Sequence, residues 1–184
     1  MLGLVVALAA ISWVGLAWLL FRLNVGDYDD FWFGGRVLTY ILLLVAPALT
    51  FVPLGRAIGM NWFGYWTVLS WAVFGFVLAF VPSDPQTGPG HNVVPLTLLL
   101  VSLFLVLVSV FMPLCYALAT RFAKRQTMRP RRIYGRAWRE GIGLAGYVIL
   151  MAFLRSIGSL NSFNALLLFL ILVVIELLFL ARFR

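Results

Sequence analysis

Of the 184 residues, 64% are hydrophobic and only 11% charged, whereas a soluble domain is roughly half apolar and about a quarter charged. A water-soluble fold of this size cannot hide that much apolar surface, so lipid must cover it. The formal charge of +8 raises the question of an anionic partner, but most of the basic residues fall in one connection between apolar segments, where membrane topology accounts for them first.

A helix needs about 20 apolar residues to cross about 30 Å of hydrocarbon. Six segments qualify, at 2–21, 36–54, 62–81, 95–120, 141–157 and 162–181. The expected fold is therefore all-α, a polytopic membrane helix bundle, and the short connections make residues 1–184 a single transmembrane domain. The first segment contains Ala7 and Ala9 in a small-x-small arrangement. Cleavage there would leave too short an apolar core and no basic leader, so the segment reads as a retained helix. The fifth segment is the weakest, because its uncharged stretch is short and ends at Arg155, whose side chain must snorkel to the interface.

Lysine and arginine set the orientation, because basic loops stay cytoplasmic. The connection at 121–140 carries eight basic residues (Arg121, Lys124, Arg125, Arg129, Arg131, Arg132, Arg136 and Arg139) against one acid, Glu140. With that connection inside, eleven basic residues lie inside and three, Arg22, Arg36 and Arg155, outside. Both termini are then expected in the cytoplasm. Asp27, Asp29, Asp30, Asp84 and His91 fall on the outer side. Trp32, Phe33, Trp62, Tyr65, Trp66, Tyr134 and Trp138 stand near span boundaries, as interfacial rings do.

Two local matches recur at nearly one offset: Ser12-Trp13 with Ser70-Trp71, and Phe51-Val52-Pro53-Leu54 with Phe111-Met112-Pro113-Leu114. They suggest a duplicated helical hairpin, parallel rather than inverted; chance matching in apolar sequence is the competing reading. Pro47, Pro53 and Pro113 fall inside spans, where each removes a backbone hydrogen bond. Gly141 and Ala145 make a small-x-x-x-small pair suited to close helix approach.

Glu176 is the one acid within an expected span, and ionisable groups there are candidate functional residues. It lies near the inner end of the sixth helix, where an ion pair with an arginine such as Arg139 competes with a proton or substrate role. Asn161 and Asn164 flank the start of that helix. Capping of unpaired backbone amides is their first reading and ligand binding the second. Asp27, Asp29 and Asp30 lack the spacing and the later glutamate of a calcium loop. His91 is the sole histidine and Cys115 the sole cysteine, which argues against a haem, multi-histidine or thiolate metal centre and against an intrachain disulfide. No cofactor is expected. Arg125, Arg129, Arg131, Arg132, Arg136 and Arg139 form a topogenic cluster that also suits anionic lipid or a partner protein. Nucleic acid is the poorest fit, since no stacking platform accompanies the charge.

The C-terminal third, R-A-W-R-E-G-I-G-L-A from Arg136 to Ala145 and F-L-R-S-I-G-S-L-N-S-F-N-A-L-L-L from Phe153 with Glu176 following, resembles a pattern in small uncharacterised bacterial inner-membrane proteins. The resemblance covers about the final fifty residues and, faintly, the acidic loop with the fourth helix. It implies a bacterial inner membrane, with no activity attached.

Two function classes follow. The spans hold no buried acid–base pair, nucleophile arrangement or nucleotide loop, which favours a non-enzymatic accessory or scaffold subunit packed against another membrane protein. The prolines and Glu176 motivate the alternative, a small transporter or substrate-capture component. An intramembrane enzyme ranks third, since no catalytic constellation can be assembled.

Overall fold

The computed structural model describes residues 2–22, 32–81, 93–123 and 130–182. All regular structure among them is helical: α1 (Leu2–Arg22), α2 (Gly34–Ile58), α3 (Asn61–Phe80), α4 (Val93–Ala123), α5 (Pro130–Ser156) and α6 (Ser162–Arg182). Each of the six contains a stretch long and apolar enough to cross a membrane, so the chain is a multi-pass membrane protein. Helix is forced here because hydrocarbon offers no partner for a free N–H or C=O, and only the helix satisfies both within one segment.

The helices divide into two compact units, 1–109 and 110–184. In the first, α2 and α3 lie antiparallel: Gly55 faces Gly64, Phe51 faces Trp71 and Tyr40 faces Phe80. A Cβ on Gly55 would stand 3.0 Å from the Gly64 nitrogen, and one on Gly64 would stand 3.1 Å from the Val52 Cα. The backbones touch there because neither residue has a side chain. The turn between them is closed by Gly59 at φ 78°, with the Gly59 amide donating to Arg56 O at 3.1 Å and the Met60 amide to Gly55 O at 2.7 Å. That is a Schellman motif, which needs a left-handed residue. On the other side of α2, Trp13 of α1 donates to Thr50 Oγ1 at 3.0 Å and meets the Trp71 ring edge-on at 5.2 Å. The tryptophans of the Ser-Trp match are thus in contact, and Ser12 and Ser70 both donate to the carbonyl four residues earlier, Leu8 and Trp66.

In the second unit α5 and α6 are antiparallel: Tyr147 meets Phe169 at 6.3 Å, a Cβ on Gly143 would lie 3.1 Å from Leu172, and Arg139 meets Glu176. Their connection repeats the earlier device. Gly158, at φ 70°, donates to Arg155 O at 3.1 Å, and Ser159 donates to Leu154 O at 3.0 Å. Ala137, Gly141 and Ala145, spaced by four, are buried on one stripe of α5. Gly141 sits against Met112 of α4, whose N and Cα a Cβ would approach to 3.0 Å. The small pair expected to permit close approach does so.

One boundary differs sharply from expectation. The basic connection at 121–140 is helical over 121–123 and 130–140, and α5 begins eleven residues before Gly141, at Pro130. The end of an apolar run does not end a helix. Proline is well suited to the first helical position, and arginine, alanine and glutamate continue a helix in water as readily as leucine does in lipid.

Close approach makes a testable demand. Gly141→Ala must displace α4 backbone and is expected to destabilise by about 1–3 kcal/mol. Gly146→Ala on the same helix meets nothing within 4 Å and should be neutral or stabilising by up to about 1 kcal/mol. Thermal unfolding of both variants in detergent separates the cases.

Candidate functional site

The charged residues of the second unit converge where α5 and α6 lie side by side. The Arg139 guanidinium grips the Glu176 carboxylate as a fork, Nη2 to Oε1 at 2.5 Å and Nε to Oε2 at 3.2 Å. Its Cζ lies over the Phe179 ring, 5.0 Å from the centroid. Phe179 follows Glu176 by three residues, so one face of α6 supplies both the anion and the aromatic plate. Both charged side chains remain about 30% exposed. One turn away, Arg136 Nε donates to Glu140 Oε1 at 2.6 Å. Glu140 and Glu176 are therefore both ion-paired.

The geometry explains how a helix this polar can cross. From Arg136 to Arg155 the helix rises about 29 Å, close to the hydrocarbon thickness. The two arginines can bracket the apolar layer, with Arg139 and Glu140 roughly one turn inside it. An isolated charge at that depth costs several kcal/mol, but Arg139 is neutralised by Glu176 and Glu140 by Arg136. The apolar run that begins at Gly141 is thereby extended by one charge-compensated turn.

The sequence-derived candidates have different outcomes. Glu176 and Arg139 are brought together as expected. Asn161 caps α6, its Oδ1 accepting from the Ser162 amide at 2.7 Å. Asn164 works in the opposite sense from that expected: its Nδ2 donates to Ser159 O at 2.8 Å, so it ties down the α5–α6 connection instead of accepting from an amide. Arg155 is exposed at the end of α5, and its backbone carbonyl accepts from Gly158. Arg125, Arg129, Asp27, Asp29, Asp30 and His91 lie outside the described residues, and Arg131 and Arg132 are placed only as members of α5. The Arg136–Glu140 pair was legible only as an i,i+4 spacing.

Buried hydroxyls in the other helices point back at their own backbone. Thr39 donates to Gly35 O, Thr67 to Phe63 O and Ser70 to Trp66 O, each at 2.8 Å, and Ser109 donates to Val106 O at 2.7 Å. Cys115 is buried and unbridged. Among the described residues no three His, Cys, Asp or Glu side chains gather as a metal site would require. No protein-family model, curated protein or solved structure matches the chain.

The Arg139–Glu176 fork predicts a non-additive double-mutant cycle. Arg139→Gln strands a half-buried carboxylate and should cost about 1–3 kcal/mol. Adding Glu176→Gln should return part of that loss, with a coupling of about 1–2 kcal/mol. Unfolding of the four proteins in detergent gives the coupling; strict additivity would mean the contact carries no stability.

Proposed function

We propose that this protein is a non-enzymatic accessory or scaffold subunit of a membrane complex. The observation that carries the reading is how the polar groups of its helices are spent. Serine and threonine hydroxyls bond their own helix carbonyls, and the glutamates of α5 and α6 are matched to arginines. A solvated pathway or a substrate site requires polar groups aimed into a shared space at mid-membrane. Lateral association requires only shape and dispersion. In α6 none of the residues in its apolar span is buried. That helix meets α5 along one edge and offers its remaining faces to lipid or to a partner.

The positive-inside distribution supports a cytoplasmic placement for both termini and for the basic α4–α5 connection, and the resemblance of the C-terminal third supports a bacterial inner membrane. A small transporter is the second reading, favoured by the prolines inside α2 and α4, because interior proline frees carbonyls that can line a cavity.

Two experiments test these readings. A subunit should co-purify in fixed ratio with another membrane protein in mild detergent and be degraded in cells when that protein is deleted. If the isolated chain is instead monodisperse and moves a solute across proteoliposomes with saturable kinetics, the transporter reading replaces it. For orientation, cysteines introduced as Asp29→Cys and His91→Cys in a Cys115→Ala background should react with an impermeant thiol reagent added to the periplasmic side, whereas Arg129→Cys should not. The reverse pattern inverts the topology.

A further inference from the structure

The arginines at the inner end of α5 divide into two kinds by depth and by partner. Arg139 lies about one turn inside the hydrocarbon boundary that Arg136 marks, and its fork is occupied by Glu176. Arg136 stands at the boundary and is 47% exposed, and only its Nε is engaged, by Glu140. Its four Nη hydrogens have no acceptor among the described residues. Arg121, two residues before the end of α4, is exposed and has no side-chain partner among the described residues.

The two helices bring Arg121 and the unengaged Nη groups of Arg136, whose Nε is held by Glu140, to one end of the second unit. Gly141 touches Met112, and α4 ends at Ala123 while α5 begins at Pro130; seven peptide steps span at most about 25 Å, too short for the roughly 33 Å that parallel helices in contact there would require, so the two run antiparallel. From that contact Arg121 lies about 13 Å along α4, and Arg136 about 8 Å along α5. The two positions therefore differ by only about 6 Å in depth, within the headgroup layer. Tyr134 and Trp138, their ring centroids 6.4 Å apart, stand at the same level on α5, where aromatic side chains favour the membrane interface.

We propose that Arg136 and Arg121 form a binding edge for the phosphate of an anionic phospholipid, and that Arg139 is withheld from it by Glu176. A planar guanidinium with free Nη hydrogens matches phosphate geometry, and depth selects a lipid over a soluble anion. The inference does not depend on the subunit reading, because a lipid edge serves a lone protein and a complexed one alike.

The test uses the full chain in mild detergent, titrated with phosphatidylglycerol, with phosphatidylcholine of the same acyl chains, and with free glycerol phosphate. Thermal stability and the number of retained lipids by native mass spectrometry are the readouts. Phosphatidylglycerol should stabilise the protein where phosphatidylcholine and glycerol phosphate do not. Arg121→Gln and Arg136→Gln should each raise its half-saturating concentration about fivefold, and about thirtyfold together. The pair Arg121→Lys with Arg136→Lys keeps the charge but not the planar fork, and should fall between wild type and the double glutamine variant. Arg139→Gln with Glu176→Gln should lower the lipid-free melting temperature and leave the lipid titration unchanged. Equal response to phosphatidylcholine, or competition by glycerol phosphate, would overturn the proposal. So would loss of a co-purifying protein, with lipid retention unchanged, in the Arg121→Gln/Arg136→Gln variant, since that result assigns the edge to a protein partner.

Discussion

Hydrocarbon contains nothing that can hydrogen-bond a peptide group, and each unsatisfied N–H or C=O there costs several kcal/mol. The same requirement recurs at every level of this protein. It makes all six spans helical and turns serine and threonine hydroxyls inward onto carbonyls of the preceding turn. It also shapes the two short connections, where Gly59 and Gly158 take positive φ so that the last carbonyls of α2 and α5 accept from amides beyond the helix. Any other residue would strain at those angles.

Once the backbone is satisfied, helices in lipid gain little from hiding apolar side chains from one another, since lipid tails are equally apolar. What holds them is close contact. Glycine faces glycine between α2 and α3, and Gly141 faces the Met112 backbone between α5 and α4. Beside the first contact the rings of Trp13, Phe51, Trp71 and Phe74 form a contiguous cluster. The α5–α6 seam is different: a ring contact, one glycine and one ion pair. A larger share of the seam's specificity therefore rests on charge.

Charge also decides whether α5 can cross at all. Its uncharged stretch is too short for the bilayer, and the missing turn contains Arg139 and Glu140. Each is neutralised, one by a residue four positions earlier on its own helix and the other by α6. The carboxylate of Glu176 and the guanidinium of Arg139 would each be costly at that depth alone. Together, with Phe179 beneath the guanidinium, they make the two last helices mutually dependent.

The number and approximate placement of the helices were readable from composition and run length, because the thickness of hydrocarbon is a fixed external ruler. The Arg139–Glu176 pair was also readable, since a single acid in a span beside an arginine-rich connection has few partners to choose from. The start of α5 was not. Apolarity marks where lipid begins, whereas a helix ends where capping and backbone geometry end it, so Pro130 rather than Gly141 opens the element. Nor could residue order reveal that Asn164 donates instead of accepting, that Trp13 reaches Trp71 across α2, or that Gly141 chooses Met112. Sequence alone determined the solvent this chain lives in and the secondary structure that solvent requires, because both follow from local composition. Only the tertiary structure decided which charges are consumed and which stay free, because a guanidinium's partner depends on the distance between helices and not on the distance along the chain.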